Sequence, residues 1–145
     1  MTGSSMRDAF PLPDLDWPPL RDFWAGAARH ELVLPYRAAE GRWEWYPDPE
    51  EPDAYEWQQV SGQATLFSWS VVRHTFLPQY ADLVPYVTGL AEIEEDPAVR
   101  LATMIVDAEP TDLVMDMPLE VTFRPLRFAG VDGEVQAPLF RPRAP

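Results

Sequence analysis

The sequence predicts a mainly β protein, a five-stranded Greek-key barrel of the OB type preceded by an N-terminal helix and a short hairpin. Three observations carry this reading. Five β-segments follow one another at 55–74, 84–95, 99–107, 118–126 and 134–142. A single helical turn, EPTDLVMD at 109–116, falls between the third and fourth, which is the OB order. Within the segments apolar residues alternate, as strands with one buried face require.

The chain divides into a flexible lead-in over 1–15, a helix over 16–31, a hairpin region over 32–57 and the barrel over 58–145. The lead-in is polar, Pro-rich and aperiodic. In the helix, Asp16 is placed to cap, Pro18 and Pro19 suit the first turn, and Leu20, Phe23, Trp24, Ala27 and Ala28 recur on one face. That face packs on the chain's own next segment or docks a partner through Phe23 and Trp24; the sequence leaves both open. In the third part, LVLPY and RWEWY form the strands of a hairpin with its turn at Ala38–Gly41. The acidic residues Glu40, Glu44, Asp48, Glu50, Glu51, Asp53 and Glu56 lack the ligand spacing of an EF-hand loop and read as a solvated face.

In the barrel, Phe67, Trp69 and Val71 are expected on one side of the first strand, and Val87, Gly89, Ala91 and Ile93 on one side of the second. Gly89 and Ala91 suit a strand that curves into closure. Val99, Leu101, Thr103 and Ile105 read as the inner face of the third strand, and Leu119, Val121 and Phe123 as that of the fourth. Thr111 is placed to cap the intervening turn, and Asp132-Gly133 is a two-residue hairpin signal before the last strand.

Composition narrows function. Arg supplies all 11 positive charges against 24 acidic residues, giving a formal charge of -13. Nucleic-acid affinity rests largely on neutralising phosphates, so nucleic acid is an unfavourable partner, as is an anionic membrane surface. The opening residues lack a signal peptide's charged and apolar regions, and no apolar run approaches the ~18 residues of a membrane span; a cytoplasmic protein is expected. With no cysteine, disulfides, thiolate ligands and a thiol nucleophile are excluded, and His30 and His74 are too few and too far apart for an imidazole metal site. No G-x-S-x-G elbow is present, and Ser61, Ser68 and Ser70 lie in a strand segment without an adjacent histidine. The residues therefore name no catalytic group.

Four stretches resemble a known family: VSGQATLFSWSVV at 60–72, PYVTGLAEIEE at 85–95, VRLATMIVDAEPTDLVMDMPLEVTF at 99–123 and APLFRP at 137–142. In this order and spacing they are similar to the acyl-CoA-associated OB-fold proteins that carry an N-terminal rubredoxin-like zinc ribbon, a domain of unknown function found with thiolases. The resemblance implies a ribbon whose two Cys pairs would fall at Arg37, Glu40, Glu51 and Ala54. Arg and Ala cannot replace thiolates at a tetrahedral zinc site, so a degenerate, metal-free ribbon is expected. Packing of Trp43, Trp45, Tyr46 and Trp57 and a pair between Arg37 and a carboxylate are expected to hold it.

The resemblance further implies a non-catalytic accessory subunit in a hetero-oligomer with a thiolase-like enzyme or a lipid-transfer-type aldolase acting on acyl-CoA thioesters. No cofactor is then tightly held, and a CoA thioester is shared with the partner. Arg73, His74, Arg100, Arg124 and Arg127 are the candidates to lie near CoA; each also suits a solvent-facing strand end. Phe23, Trp24, Phe76, Leu77, Tyr80, Leu83 and Tyr86 are the candidates for the partner interface. The last five sit in HTFLPQYADLVPY at 74–86, either a contact surface or a plug on the barrel's own end. The alternative is a stand-alone OB-fold protein that binds a neutral glycan or an acyl-CoA.

Overall fold

The computed structural model describes residues 10–144, so most of the lead-in expected over 1–15 lies outside the described residues. A 3-10 turn at Pro18–Leu20 runs directly into α1 (Arg21–Ala28). No side-chain cap precedes either element, so Asp16 does not fill that role. Instead the Asp16 carbonyl accepts a 3.0 Å hydrogen bond from Arg21 Nη2. The helix ends in a Schellman motif: Glu31 N–H donates to Gly26 O and His30 N–H to Ala27 O, each at 2.9 Å. His30 takes the left-handed position that glycine usually fills, φ 61°. Its ring stacks on Phe123 at 5.2 Å and bonds Gln136 at 3.2 Å, tying the helix end to the barrel.

Three strands follow. β1 (Val33–Arg37) is central, with β2 (Arg42–Trp43) and β3 (Tyr55–Gln59) antiparallel on either side. The turn between β1 and β2 lies where the sequence placed it, at residues 38–41, with Gly41 at φ 66°. Gly26 lets α1 lie close against β1, because an added Cβ would stand 2.6 Å from Val33 Cγ2. Gly26→Ala is therefore expected to cost about 1 kcal/mol in urea denaturation despite alanine's better helix propensity. A gain in stability would refute the close approach.

The sequence ran one continuous segment over 55–74. The structure breaks it at 60–62: residues 55–59 belong to the small sheet, and the barrel starts at β4 (Gln63–Val72). β5 (Tyr86–Ile93), β6 (Arg100–Ile105), β7 (Pro118–Leu126) and β8 (Val135–Pro142) complete a closed barrel in the order β4-β5-β6-β8-β7. Closure uses a parallel contact of β6 with β8 at Ile105 and Phe140, and an antiparallel one of Gln63–Thr65 with 118–120. The OB reading holds. Phe140, Leu66, Leu119 and Ala91 lie at its centre with Ile93, Leu101 and Ile105 around them.

Several local expectations are corrected. Phe67 does not share a face with Trp69 and Val71: the register of β4 on β5 shifts between Leu66 and Ser68, and this bulge takes up one residue. Ala64 and Leu66 are buried before it, Trp69 and Val71 pack on the core after it, and Phe67 instead stacks under Arg100. The turn between β6 and β7 shrinks to a 3-10 turn at Pro110–Asp112 whose N-cap is Glu109, so Thr111 sits inside it and caps nothing. The connection after β7 spans 127–134, longer than a two-residue hairpin, with Gly130 and Gly133 both at positive φ. Among the described residues no helix is long and apolar enough to cross a membrane.

Candidate functional site: an apolar groove on the barrel face

OB barrels place ligands on the outer face of their second and third strands, between the loop after the first strand and the loop before the last. Here that face is formed by β5 and β6, flanked by residues 73–85 and 127–134. It carries a groove of about 430 Å³. Thr88, Ala102 and Met104 form the floor, and Pro138 and Leu139 of β8 extend it. One wall is Tyr80, Leu83 and Tyr86 with Phe128; the other is Leu20, Phe23 and Trp24 of the helical segment with Trp45 and Tyr46 of the bend that follows β2.

Aromatic contacts hold both walls. Tyr80 lies 5.2 Å from Phe128 and 6.2 Å from Tyr86, and burial, with the neighbouring Tyr86 second, pushes its phenol above the ordinary range. Opposite, Phe23 meets Trp24 and Trp45 at 4.9 Å each, and Trp45 meets Tyr46 at 4.8 Å. Phe23 is 9% exposed and belongs to the chain's own core, while Trp24 is half-buried against it. Tyr80, Leu83 and Tyr86 are also half-buried, so this part of loop 74–86 folds back on the barrel. Phe76 and Leu77 do not: Phe76 is 92% exposed at the loop tip, with His74 edge-on at 5.2 Å.

Among the described residues no charged side chain lines the groove. Its two threonine hydroxyls are engaged with the backbone, Thr88 Oγ1 donating to Thr103 O at 3.3 Å and Thr103 Oγ1 to Met104 O at 3.2 Å, whereas the hydroxyls of Tyr46, Tyr80 and Tyr86 make no hydrogen bond among the described residues. A second, more polar pocket adjoins it through the shared residues Tyr86 and Met104 and holds Arg73, Asp107 and Glu109. The five basic candidates do not converge. Arg100 bonds Glu92 at 3.0 Å and lies 3.7 Å over the Phe67 ring. Arg124 is paired with Asp107, and Arg127 with Glu134. Of the five, only Arg73 and His74 have no carboxylate partner among the described residues, and both are exposed.

The small sheet has its own centre. Arg37, buried on β1, donates from Nε to Glu44 at 3.0 Å and from Nη2 to Glu51 at 2.9 Å and to the Tyr55 hydroxyl at 2.8 Å, with Glu40 at 3.7 Å. The Tyr55 hydroxyl donates to Glu44 and accepts from Asp48 N–H. Three of the four positions that the resemblance gave to zinc ligands thus meet around a guanidinium, with Ala54 contributing no polar atom. A fixed cation at that point and the absence of cysteine do not fit a metal ion. Glu44 and Glu51, read as part of a solvated face, are instead the carboxylates this cation binds. Trp43, Trp45 and Trp57 pack on the core, whereas Tyr46 is 63% exposed.

The groove's floor and half of its walls escaped the sequence reading. Thr88, Ala102 and Met104 are the outward residues of strands whose inward set was identified, so alternation marked them. Nothing local marked Trp45 and Phe128 as their neighbours.

Residues 57–124 match the profile of the C-terminal OB-fold domain of ChsH2. The match runs from within β3 to within β7, a little under half of the chain. A chain of the solved Ltp2-ChsH2(DUF35) aldolase superposes on 90% of this chain and 98% of its own length, with a TM-score of 0.72 at 25% identity. Two DUF35 domain-containing scaffold proteins are similar in sequence. That of Methanothermobacter thermautotrophicus is 32% identical over 77 residues, and that of Methanocaldococcus jannaschii 32% identical over 81 residues. These matches cover 53% and 56% of this chain, and the chain spans only about half the length of each relative, 56% and 55%.

Proposed function

We propose that this DUF35-type chain is a non-catalytic scaffold subunit that binds a thiolase-fold enzyme, a thiolase, acyltransferase or lipid-transfer-type aldolase, acting on acyl-CoA thioesters. The observation that carries the reading is the likeness, along nine-tenths of the chain, to the DUF35 part of an aldolase assembly. The residues agree with it: the chain offers no cysteine nucleophile, and its histidines engage aromatic rings rather than a serine.

Phe76 and Leu77 are the partner contact in this reading. An aromatic side chain at 92% exposure gains the most from burial against a second protein. Phe23 faces inward and supports the groove wall rather than touching the partner. Arg73 and His74, next to this tip and without carboxylate partners, are the residues of the basic set that remain candidates to meet a CoA phosphate.

The test is co-expression with a thiolase-like enzyme or lipid-transfer-type aldolase from the same source, followed by gel filtration and assay of CoA-thioester turnover. One complex whose activity needs both proteins supports the reading; two separate peaks and an unaffected enzyme overturn it. The double variant Phe76→Asp/Leu77→Asp is expected to weaken the complex about thirtyfold or more while leaving the thermal melt unchanged. Undiminished association would move the interface elsewhere.

A further inference from the structure

We infer that the partner enzyme docks by strand addition: an extended segment with alternate apolar side chains and a basic end pairs with the free edge of β4 at 68–72. The inference rests on the scaffold reading above and adds to it the mode of contact and the chemistry of the segment.

The ladder is the first argument. On one side β4 pairs with β5 from Ala64 opposite Ile93 to Val72 opposite Tyr86. On the other it pairs with β7 over 63–65, and two further bonds follow, Leu66 N–H to Met117 O at 3.0 Å and Asp116 N–H to Leu66 O at 2.7 Å. Among the described residues no backbone bond leaves β4 on that side after Leu66. The bulge between Leu66 and Ser68 lies where the two strands part, and residues 68–72 beyond it resume regular pairing with β5. Five residues offer an edge of about 17 Å, enough for a further strand. Its unpaired N–H and C=O groups fit only another extended backbone in full, which is how sheet edges recruit peptides.

Composition leaves this edge unguarded. Proteins keep such edges single with lysine, an inward-pointing charge or proline. Residues 68–72 read SWSVV, and the charge-free, proline-free run reaches back to Val60 in a chain that holds 24 acidic residues, 11 arginines and 17 prolines. Trp69 and Val71 pack on the core but stay half-buried, while Ser68 and Ser70 are exposed. An added strand would set apolar side chains beside Trp69 and Val71 and polar ones beside the serines.

The flanks agree. Val114 and Met115, both exposed, come just before Asp116, where the β7 side of the ladder stops. Phe76 and Leu77 follow within five residues of Val72, so the edge continues the contact already assigned to them. Charge then selects the segment. Asp112 and Asp116, on the connection that ends beside this edge, are exposed and have no ion-pair partner among the described residues, and they suit a basic residue at one end of the added strand. A second copy of this chain is disfavoured, because each copy carries a charge of -13.

The experiment compares amide hydrogen exchange, resolved by residue in NMR spectra, for the full chain alone and in complex with the enzyme. In the free chain alternate amides within 68–72 should exchange rapidly, since those facing β5 are bonded and those facing the open edge are not. In the complex the rapid set should slow about tenfold or more. Ser68→Lys/Ser70→Lys places charges on exposed positions of the edge; it should weaken the complex about tenfold or more and leave the thermal melt unchanged. Asp112→Asn/Asp116→Asn should weaken it about threefold at low salt and less at high salt. Asparagine tolerates the positive φ of residue 116, so the turn is kept.

A complex in which the rapid amides are unchanged refutes strand addition and leaves the scaffold reading standing, as does a complex indifferent to the lysine pair. Unaltered binding of Asp112→Asn/Asp116→Asn refutes the basic end of the segment. Slow exchange throughout 68–72 in the free chain would mean that the edge is already covered, by a second copy if gel filtration shows a dimer, and overturns the inference as well. If no complex forms, the scaffold reading fails and this inference fails with it, at gel filtration rather than at the amides.

Discussion

Arg37→Met is expected to unfasten the three-stranded sheet while the barrel stays folded. The guanidinium ties β1 to the residue after β2, to Glu51 and to the start of β3, through its bonds to Glu44, Glu51 and Tyr55. Its removal leaves Glu44, only a quarter exposed, facing a tyrosine hydroxyl with no cation nearby except the exposed Arg42 at 3.5 Å. Breaking one side of such a cluster costs more than an exposed ion pair contributes, because the remaining charge stays poorly solvated. The melting temperature should fall by about 5 °C or more. Near-ultraviolet dichroism from Trp43, Trp45 and Trp57 should be lost in a transition separate from that of the barrel, and an unchanged Trp signal would show that aromatic packing alone holds the sheet.

The same cluster fixes a pH window. The hydrogen bond from Tyr55, and after it the bonds and charge of Arg37, hold the Glu44 carboxyl below its ordinary value of 4.5. A group depressed in the folded state contributes stability above its unfolded pKa and loses it as the pH falls through the folded one. Burial chiefly, with the Glu44 carboxylate adding to it, raises the Tyr55 phenol above its ordinary 10.0, so its contribution is present below that value and is lost as the pH rises through the folded pKa. Arg37, raised by its bonds to Glu51 and Glu44, stays charged throughout. The sheet's Trp signal should therefore be flat across the neutral range and decline at both ends, and the acid limb should weaken in Glu44→Gln.

Because Trp45 follows Glu44 directly, the charge cluster also sets one wall of the groove. Glu44 N–H donates to Pro35 O at 3.1 Å, and its side chain is held by Arg37, so the backbone that delivers Trp45 to Phe23 is fixed on both sides. Losing Arg37 should therefore loosen this wall of the groove as well as the sheet.

What the sequence disclosed follows the range of the forces involved. Strand β5 was legible residue by residue, because Val87, Gly89, Ala91 and Ile93 are all buried and the intervening residues are not. Burial on one face writes itself into a period of two. The bulge at Phe67 was not legible: an aromatic residue fits the alternating pattern whether or not the register slips beneath it. Arg37 was marked as a pairing residue, but a sequence cannot say which of seven nearby carboxylates closes on it; the turn at 38–41 and the 3-10 turn at 52–54 select Glu44 and Glu51. Asp132-Gly133 failed as a hairpin signal because Phe128 is buried, drawing the chain onto Tyr80 and lengthening the loop. The groove depends on four distant segments meeting, which no local pattern records.

Gly62→Ala is expected to destabilise the protein by about 3 kcal/mol. Two independent costs meet at this residue. Its φ of 82° lies where an L side chain is strained, and an added Cβ would stand 2.4 Å from Val121 Cγ1, a contact that the side chain must vacate. Val121 has little room to do so, since its N–H donates to Gly62 O at 2.8 Å and its side chain packs on the barrel core. Gly62 is also the corner at which the chain leaves β3 for β4, so the strain falls where small sheet and barrel join. That is why the sequence reading of one unbroken strand through this position could not hold: the strand ends because its ladder to β1 ends, and only glycine makes the turn against Val121. Urea denaturation of Gly62→Ala should show the loss in one cooperative step shared by barrel and sheet signals, in contrast to the separate sheet transition of Arg37→Met. A compensating variant, Gly62→Ala with Val121→Ala, should recover the part of the cost due to the clash and none of the part due to the backbone, dividing the two contributions. Full recovery would mean that the backbone angle carries no strain, and no recovery that the close approach to Val121 is not the obstacle.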